Sequence, residues 1–146
     1  MRSSMNDIKN MRYTKKLFDS ILKSVCDKYN LGRPELDIIA FLHTNNDMDV
    51  ASDIVEHCGL SKANISQAVD RLIQKNLIIC ETDSYDRRKH HLYLTENTAE
   101  LVEDIENALT FYRNVLISGL TEKELEIYAA ISLKMCENAI NYLEEK

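Results

Sequence analysis

The chain has 146 residues, 45% of them hydrophobic, with one proline and three glycines. This composition predicts one compact domain with helical extensions and argues against a disordered or repetitive chain. No apolar run approaches the roughly 20 residues that cross a bilayer, and the charged N-terminus lacks a signal-peptide core, so a cytoplasmic protein is expected. The cysteines are too dispersed for a paired metal-binding motif and are expected to be reduced thiols.

The net charge of −6 is unevenly distributed along the sequence. Residues 96–146 carry 4 basic and 11 acidic side chains, whereas residues 50–95 carry 6 of each. Because salt screens charges over about 8 Å at physiological ionic strength, the local field at a contact surface matters more than the total charge. The overall acidity therefore does not exclude a nucleic-acid partner for the central segment.

Apolar side chains at three- and four-residue steps predict two helices in the first third of the chain. The first covers about residues 5–29. The second covers about residues 34–43, because Pro34 suits the first turn of a helix. Residues 45–47, with the sequence Asn-Asn-Asp, are typical of a turn.

The next segment has the pattern of a helix-turn-helix. A third helix over about residues 51–57 is expected to stop at Gly59, which suits a left-handed helix end. Ser61 is expected to cap a fourth helix that lasts to about Lys75. Asn76 then ends it, because asparagine tolerates the left-handed conformation.

Two short strands, over about residues 77–80 and 91–94, are predicted to form a hairpin. Thr95 is expected to cap a helix that extends to about residue 118. A capping box at residues 121–124 then opens the last helix. The order ααααββαα predicts an α+β fold that is mostly α.

The fourth helix separates an apolar face from a polar one. A rotation of 100° per residue places Ile65, Ala68, Val69, Leu72 and Ile73 on the buried side. The opposite arc suits a DNA major groove, where Asn and Gln side chains pair with adenine and a helix N-terminus favours phosphate. The expected DNA contacts on this element are Ser61, Lys62, Asn64, Ser66, Gln67 and Arg71.

The turn between the strands, residues 83–89, reads Asp-Ser-Tyr-Asp-Arg-Arg-Lys. A narrow minor groove concentrates negative potential and attracts arginine, so a basic hairpin tip beside a recognition helix predicts a winged helix. Asp86 is expected to fix the turn by accepting backbone N–H bonds or by orienting Arg88. The expected DNA contacts of the wing are Asp86, Arg87, Arg88 and Lys89.

Each of these features has a structural interpretation when taken alone. Polar helix faces are common on solvated helices, and a charged hairpin tip also protects an edge strand from aggregation. Their combination in one short segment favours DNA binding.

The segment from Gly59 to Thr95 resembles the MarR family of bacterial transcription regulators. The resemblance rests on Leu60-Ser61, Val69-Asp70-Arg71-Leu72, Asn76-Leu77-Ile78, Asp83-Ser84-Tyr85-Asp86-Arg87-Arg88 and Leu94-Thr95. The departures from the family's habitual pattern are Asn76 at a common glycine, Asn97-Thr98 at another, and Tyr85 where arginine is frequent.

The resemblance implies a single domain over residues 1–146 in a homodimer. Its winged helix core covers about residues 34–95, and residues 1–33 and 96–146 supply dimerisation helices. Independently, the apolar residues between 101 and 143 outnumber what one helical stripe needs, which favours a dimer. The dimer is expected to bind double-stranded DNA at a pseudo-palindromic operator, with recognition helices about 34–36 Å apart.

The resemblance further implies a repressor that is released by a small aromatic effector bound between the dimer helices and the winged domains. Possible lining residues are Tyr13, Tyr29, Phe41, His43, Phe111 and Tyr112. No membrane partner and no cofactor are expected. The sequence has no phosphate-binding loop, zinc-protease spacing or nucleophile elbow, so an enzyme is not expected.

Two alternatives stay open. In the first, the same fold responds to thiol oxidation at Cys26 or to a metal, with His43, His57, Cys58, His90 and His91 as possible ligands. His90 and His91 adjoin the wing, where phosphate or solvent is the more natural neighbour. In the second, the winged helix is a protein-interaction module without DNA affinity.

Overall fold

The computed structural model describes residues 2–45 and 49–145, with side chains from Met5 onward. Within these ranges the chain is mostly helical with one two-stranded antiparallel sheet, which confirms the predicted order and fold class. Most of the predicted turn at residues 45–47 lies outside the described residues. The elements are α1 (Arg2–Tyr29), α2 (Arg33–Thr44), α3 (Ala51–Cys58), α4 (Lys62–Gln74), β1 (Ile78–Thr82), β2 (His90–Leu94), α5 (Ala99–Ile117) and α6 (Glu122–Glu144).

The chain forms two compact units, residues 1–112 and 113–146. The first contains α1 to α4, the hairpin and most of α5, and the second contains the end of α5 and all of α6. Among the described residues, no helix combines the length and the apolarity that crossing a membrane requires.

The hydrophobic core of the first unit surrounds α2, which contacts α1, α3, α4 and β2. Leu36, Ile38 and Ile39 on α2 are almost completely buried. Burial of apolar area contributes about 25 cal/mol per Å², so this helix is the main anchor of the elements around it. The other fully buried large side chains are Ile54, Ile65, Leu72, Ile78 and Leu101.

Left-handed residues end the helices as the sequence predicts. Gly59 follows α3 with φ of 63°, and Asn76 follows α4 with φ of 56°. The capping box at Thr121 and Glu124 is also confirmed, since each side chain bonds the backbone N–H of the other residue.

The predicted cap at Thr95 is wrong. The Thr95 hydroxyl makes no cap bond to the following helix and instead donates to the Asn76 carbonyl oxygen at 2.7 Å. A short 3-10 turn, Glu96–Thr98, intervenes, and α5 begins only at Ala99. The hydroxyl thus connects the end of the hairpin to the end of α4, because the left-handed Asn76 leaves its carbonyl oxygen free to accept a hydrogen bond.

The hairpin is longer at its tip than predicted, and its register pairs Ile78 with Leu94 and Thr82 with His90. The other edge of β2 is paired as well, through a bridge between Val50 and His91 and an N–H bond from Leu92 to the Asp49 carbonyl. The segment that leads into α3 is therefore hydrogen-bonded to the outer edge of β2.

Two helical stretches carry apolar side chains that the chain leaves uncovered. At the start of α1, Met5, Ile8 and Met11 are each more than 60% exposed. On α6 none of the described residues is buried. The exposed apolar side chains of α6 are Ile127, Tyr128, Ile131, Leu133, Met135, Ile140, Tyr142 and Leu143.

Candidate nucleic-acid interface

Helix α4 buries three side chains of the predicted apolar face, Ile65, Ala68 and Leu72. Val69 is half-buried, and Ile73 is 37% exposed, so the prediction of Ile73 as an inward residue is wrong. The reason is that Ile73 lies at the margin of the buried arc, where it lines an open concave surface rather than the core.

The polar side of α4 is exposed as predicted. The Ser61 hydroxyl oxygen accepts a hydrogen bond from the Asn64 backbone N–H at 3.2 Å, which confirms Ser61 as the helix cap. Its O–H is still able to donate to an incoming phosphate, and Lys62 follows in the first turn. The predicted contacts that are exposed on this element are Ser61, Lys62, Asn64, Ser66, Gln67 and Arg71.

Substitution of Ser61 is expected to separate capping from phosphate binding. Ser61→Ala removes the cap and should lower the free energy of unfolding by about 1 kcal/mol in urea denaturation. Ser61→Asp keeps a cap acceptor and should retain that stability, but its negative charge should weaken binding to duplex DNA. Equal DNA affinity of Ser61→Asp and the parent would contradict the placement of a phosphate at this helix end.

The wing turn is held by two aspartates. Asp83 Oδ1 accepts from the backbone N–H groups of Tyr85 and Asp86, each at 2.8 Å. Asp86 Oδ1 accepts from the Arg88 N–H at 3.0 Å, which confirms its predicted role in fixing the turn. These bonds direct the Asp86 carboxylate toward the backbone of the turn.

Asp83 was not among the predicted site residues, although an aspartate that opens a tight turn is a recognisable signal. Hydrogen bonding to His91, together with the N–H groups of Asp86 and Tyr85, lowers the pKa of Asp83 to about 2. Asp83 is therefore ionised throughout the physiological pH range. The side chains of Arg87, Arg88 and Lys89 project from the turn it stabilises and are exposed.

A concave surface between α4 and the hairpin encloses a cavity of about 680 Å³. It brings Lys62 and Ser66 of the helix together with Arg88 and Lys89 of the wing. Asp70 also lies on it and adds one negative charge. The remaining lining residues are Val50, Ala51, Ser52, Val55, Ile65, Val69, Ile73, Cys80, His90 and Leu92. Predicted contacts from two elements thus share one surface. The predicted contacts that do not line it are Ser61, Asn64, Gln67, Arg71, Asp86 and Arg87.

Arg71 has a structural partner that sequence analysis missed. Its Nε lies 2.9 Å from Oε1 of Glu35, a carboxylate on α2 that is almost completely buried. Lys75 Nζ lies 3.6 Å from the other oxygen, Oε2, and also donates to the Asn30 carbonyl. Arg71 is therefore both an exposed predicted contact and the counter-ion of a buried acid.

The remaining histidine and cysteine candidates are mostly engaged within the chain. His43 Nε2 lies 2.8 Å from Glu106 Oε1, and His57 Nδ1 lies 2.8 Å from the Asp53 carbonyl oxygen. Cys26 is buried, and burial raises the pKa of its thiol, which disfavours the reactive thiolate. In the part of the chain that the structure describes, no three His, Cys, Asp or Glu side chains form a group able to hold a metal.

His91 contradicts the expectation that it faces phosphate or solvent. Its ring lies between the carboxylates of Asp49 and Asp83, so protein atoms occupy both nitrogens. Its neighbour His90 is exposed and lines the concave surface. The difference arises because adjacent residues of a strand point to opposite faces.

The aromatic side chains expected to line an effector site have different surroundings. Tyr112 packs edge-on against Phe18, with ring centroids 5.1 Å apart, and the Tyr29 hydroxyl donates to Asp104. Phe41 is buried in the core, whereas Tyr13 and Phe111 are exposed.

Part of the chain is similar to a known protein family. Residues 29–89 match a family model described as the MarR family. These residues contain α2, α3, α4, β1 and the wing turn. The match thus covers all of the predicted DNA contacts.

Solved structures extend the likeness to most of the chain. A MarR protein from Peptoclostridium difficile is similar, with a TM-score of 0.80, 18% identity, and coverage of 94% of this chain and 89% of that one. A second similar structure is that of BpsR from Bordetella bronchiseptica, solved to explain the regulation of its DNA binding by 6-hydroxynicotinic acid. Its TM-score is 0.70 at 19% identity, and the alignment covers 90% of this chain and 98% of BpsR. The S. aureus MepR–DNA complex is similar with a TM-score of 0.60 at 21% identity, and the alignment covers 88% of this chain and 96% of that one. Residues 29–89 therefore resemble the MarR family, and the chain has the fold of the solved MarR structures.

Proposed function

We propose that the protein is a dimeric, sequence-specific DNA-binding transcriptional regulator. The observation that carries this proposal is the concave surface on which α4 and the wing present Lys62, Ser66, Arg88 and Lys89 together. Those side chains are of the types that contact phosphates and base edges. DNA bound to the similar MepR structure adds support from a protein of the same fold.

Each group of site residues has its own role in the proposal. Ser61 and Lys62 bind phosphate at the N-terminus of α4, while Asn64, Ser66 and Gln67 face base edges in the major groove. Arg87, Arg88 and Lys89 enter the adjoining minor groove or meet its phosphates. Asp86 contributes through the turn it holds. Arg71 reaches DNA only with the guanidinium nitrogens that Glu35 does not occupy.

The proposed domain organisation follows from the uncovered apolar surfaces. Residues 34–95 form the winged helix core, and residues 1–33 and 96–146 supply the dimerisation helices. Large exposed apolar patches mark interaction surfaces, and the exposed side chains of α1 and α6 fit a homodimer. Such a dimer reads a pseudo-palindromic operator. A monomer in sedimentation equilibrium at micromolar concentration would contradict this arrangement.

Repression released by a small aromatic effector is the proposed mode of regulation. Its support is the fold shared with BpsR, whose DNA binding is regulated by 6-hydroxynicotinic acid. Coupling of about 1–3 kcal/mol between effector and DNA suffices for release. Calorimetric titration of the dimer with aromatic carboxylates, followed by DNA binding with each ligand that binds, tests this mode.

Selection of bound fragments from random duplexes tests sequence-specific binding. The same selection with Gln67→Ala tests the role of one predicted base contact. The parent should enrich one pseudo-palindrome and lose affinity steeply with salt. Gln67→Ala should relax the preference at one base pair of each half-site by about 1–3 kcal/mol, because a bidentate pair with adenine is lost. Non-specific affinity should remain, since Gln67 carries no charge.

Two outcomes of the selection would contradict the proposal. Absence of any enriched sequence would overturn the claim of specificity. Binding that is indifferent to salt, or no binding at all, would favour the protein-interaction module.

A further inference from the structure

His91 lies at the base of the wing with one carboxylate on each ring nitrogen. Nδ1 is 2.7 Å from Asp49 Oδ1, and Nε2 is 2.9 Å from Asp83 Oδ2. All three side chains are between 20% and 24% exposed, so water competes only partly for these bonds. An ionised carboxylate is an acceptor only, so both bonds form only when each ring nitrogen carries a hydrogen. The arrangement therefore requires the imidazolium form.

Acidic groups on several elements surround the ring. Asp49 comes from the segment before α3, Asp83 from the wing turn, and Glu81 from the opposite position on β1. Tyr93 on β2 stacks on the imidazole with ring centroids 6.4 Å apart. Hydrogen bonding to Asp49, and then to Asp83, raises the pKa of His91 above its usual value.

The two carboxylates belong to different parts of the DNA-binding unit. Asp49 leads into α3, and its carbonyl oxygen accepts from the Leu92 N–H at 2.9 Å. Asp83 holds the turn that carries Arg87, Arg88 and Lys89. His91 is thus the side chain that connects the start of the helix-turn-helix to the wing turn.

We propose that protonated His91 is a positioning residue for DNA binding, because it holds the wing turn against the segment before α3 and so orients the wing cations relative to α4. The proposal rests on the DNA-binding function proposed above. Its consequence is a pH dependence with a definite sign. Because the folded-state pKa is raised, the connection is complete below the usual histidine pKa and is lost as the pH rises through the raised value.

Loss of the proton leaves one carboxylate facing a ring lone pair. The wing turn then loses its contact through Asp83 or through Asp49, and the wing cations lose their fixed orientation. We expect DNA affinity to fall by about tenfold across this transition, which is the contribution of one well-placed contact.

The test measures binding to a random-sequence duplex of about three helical turns between about pH 5.5 and pH 9 at fixed ionic strength. Wild type should lose affinity as the pH rises. His91→Gln should bind weakly at every pH and show a nearly flat profile, because glutamine has no proton to lose in this range. His57→Gln is the matched control: it removes an exposed histidine of α3 that lies outside the concave surface, and it should keep the wild-type profile. His90→Gln tests whether the neighbouring histidine on that surface causes the pH dependence, and the transition should persist in it.

Asp49→Asn gives a second test, because a merely structural role of His91 would not change the midpoint of the pH profile of DNA binding. It removes the negative charge of the carboxylate that faces Nδ1 while leaving His91 in place, so the midpoint of the binding profile should shift to lower pH. The titration of the His91 ring, followed by NMR on the free protein, should shift in the same direction. Circular dichroism checks that each variant keeps its helical content.

The outcomes distinguish failure of the proposed role of His91 from failure of the proposed DNA-binding function. Wild-type binding with parallel profiles in His91→Gln and Asp49→Asn would overturn the role of His91 and leave DNA binding intact. A transition that disappears in His90→Gln would assign the pH dependence to direct phosphate contact and would also overturn the proposal. Failure of wild type to bind at any pH would instead overturn the proposed function.

Discussion

Arg88→Ala is expected to weaken binding to duplex DNA by about tenfold to a hundredfold, the largest effect of any single wing substitution. Arg88 lies on the concave surface shared with α4, while its backbone N–H is fixed by Asp86. Its side chain is therefore directed from an ordered turn rather than from a free loop. An arginine held in this way meets the negative potential of a narrow minor groove without a large loss of conformational entropy.

The salt dependence of binding shows whether the loss is electrostatic. Removing one cation that displaces a counterion should lower the slope of log affinity against log salt by about 1. Lys134→Ala, which removes one positive charge from α6, is the control and should leave both affinity and slope unchanged. Equal losses in the two variants would mean that net charge alone sets binding, and the assignment of the wing would fail.

Arg71→Ala is expected to lower the free energy of unfolding by about 2–3 kcal/mol. Among the described residues, the substitution leaves the buried Glu35 carboxylate with Lys75 as its one remaining cation, whose Nζ is 3.6 Å from Oε2. Because the Arg71 side chain is half-exposed, the expected loss is smaller than for a fully buried ion pair. Urea denaturation at a fixed protein concentration measures this loss.

A double substitution separates the two roles of Arg71. Glu35→Gln replaces the buried charge with a neutral amide, so Arg71→Ala combined with Glu35→Gln should recover more than half of the lost stability. DNA affinity should not recover in the double variant if Arg71 also contacts DNA. Recovery of both properties would assign Arg71 to the fold alone, and recovery of neither would contradict the pairing with Glu35.

Local signals were sufficient for most of the fold. Gly59, Ser61 and the capping box at Thr121 each act on backbone groups within a few residues, so their roles can be recognised in a short stretch of sequence. The helical repeat also placed Ile65, Ala68 and Leu72 in the core. Ile73 was misplaced because a repeat gives the direction of a side chain but does not show how far the neighbouring elements extend over it.

The electrostatic contacts within the winged helix core could not be predicted in the same way. Glu35 meets Arg71 across two helices, and His91 meets Asp49 from 42 positions away. Such pairs depend on how elements pack, and a single sequence carries no local signal for them. Thr95 shows the opposite error, since a good capping residue found a nearer acceptor in the Asn76 carbonyl.

The bond from Lys75 to the Asn30 carbonyl has a mechanical consequence. Asn30 is the left-handed residue that follows α1, and Lys75 is the cap of α4, the helix that we propose to face DNA. The bond lies outside the hydrophobic core and connects the ends of the two helices directly. We therefore expect a displacement at the end of α1 to shift the end of α4.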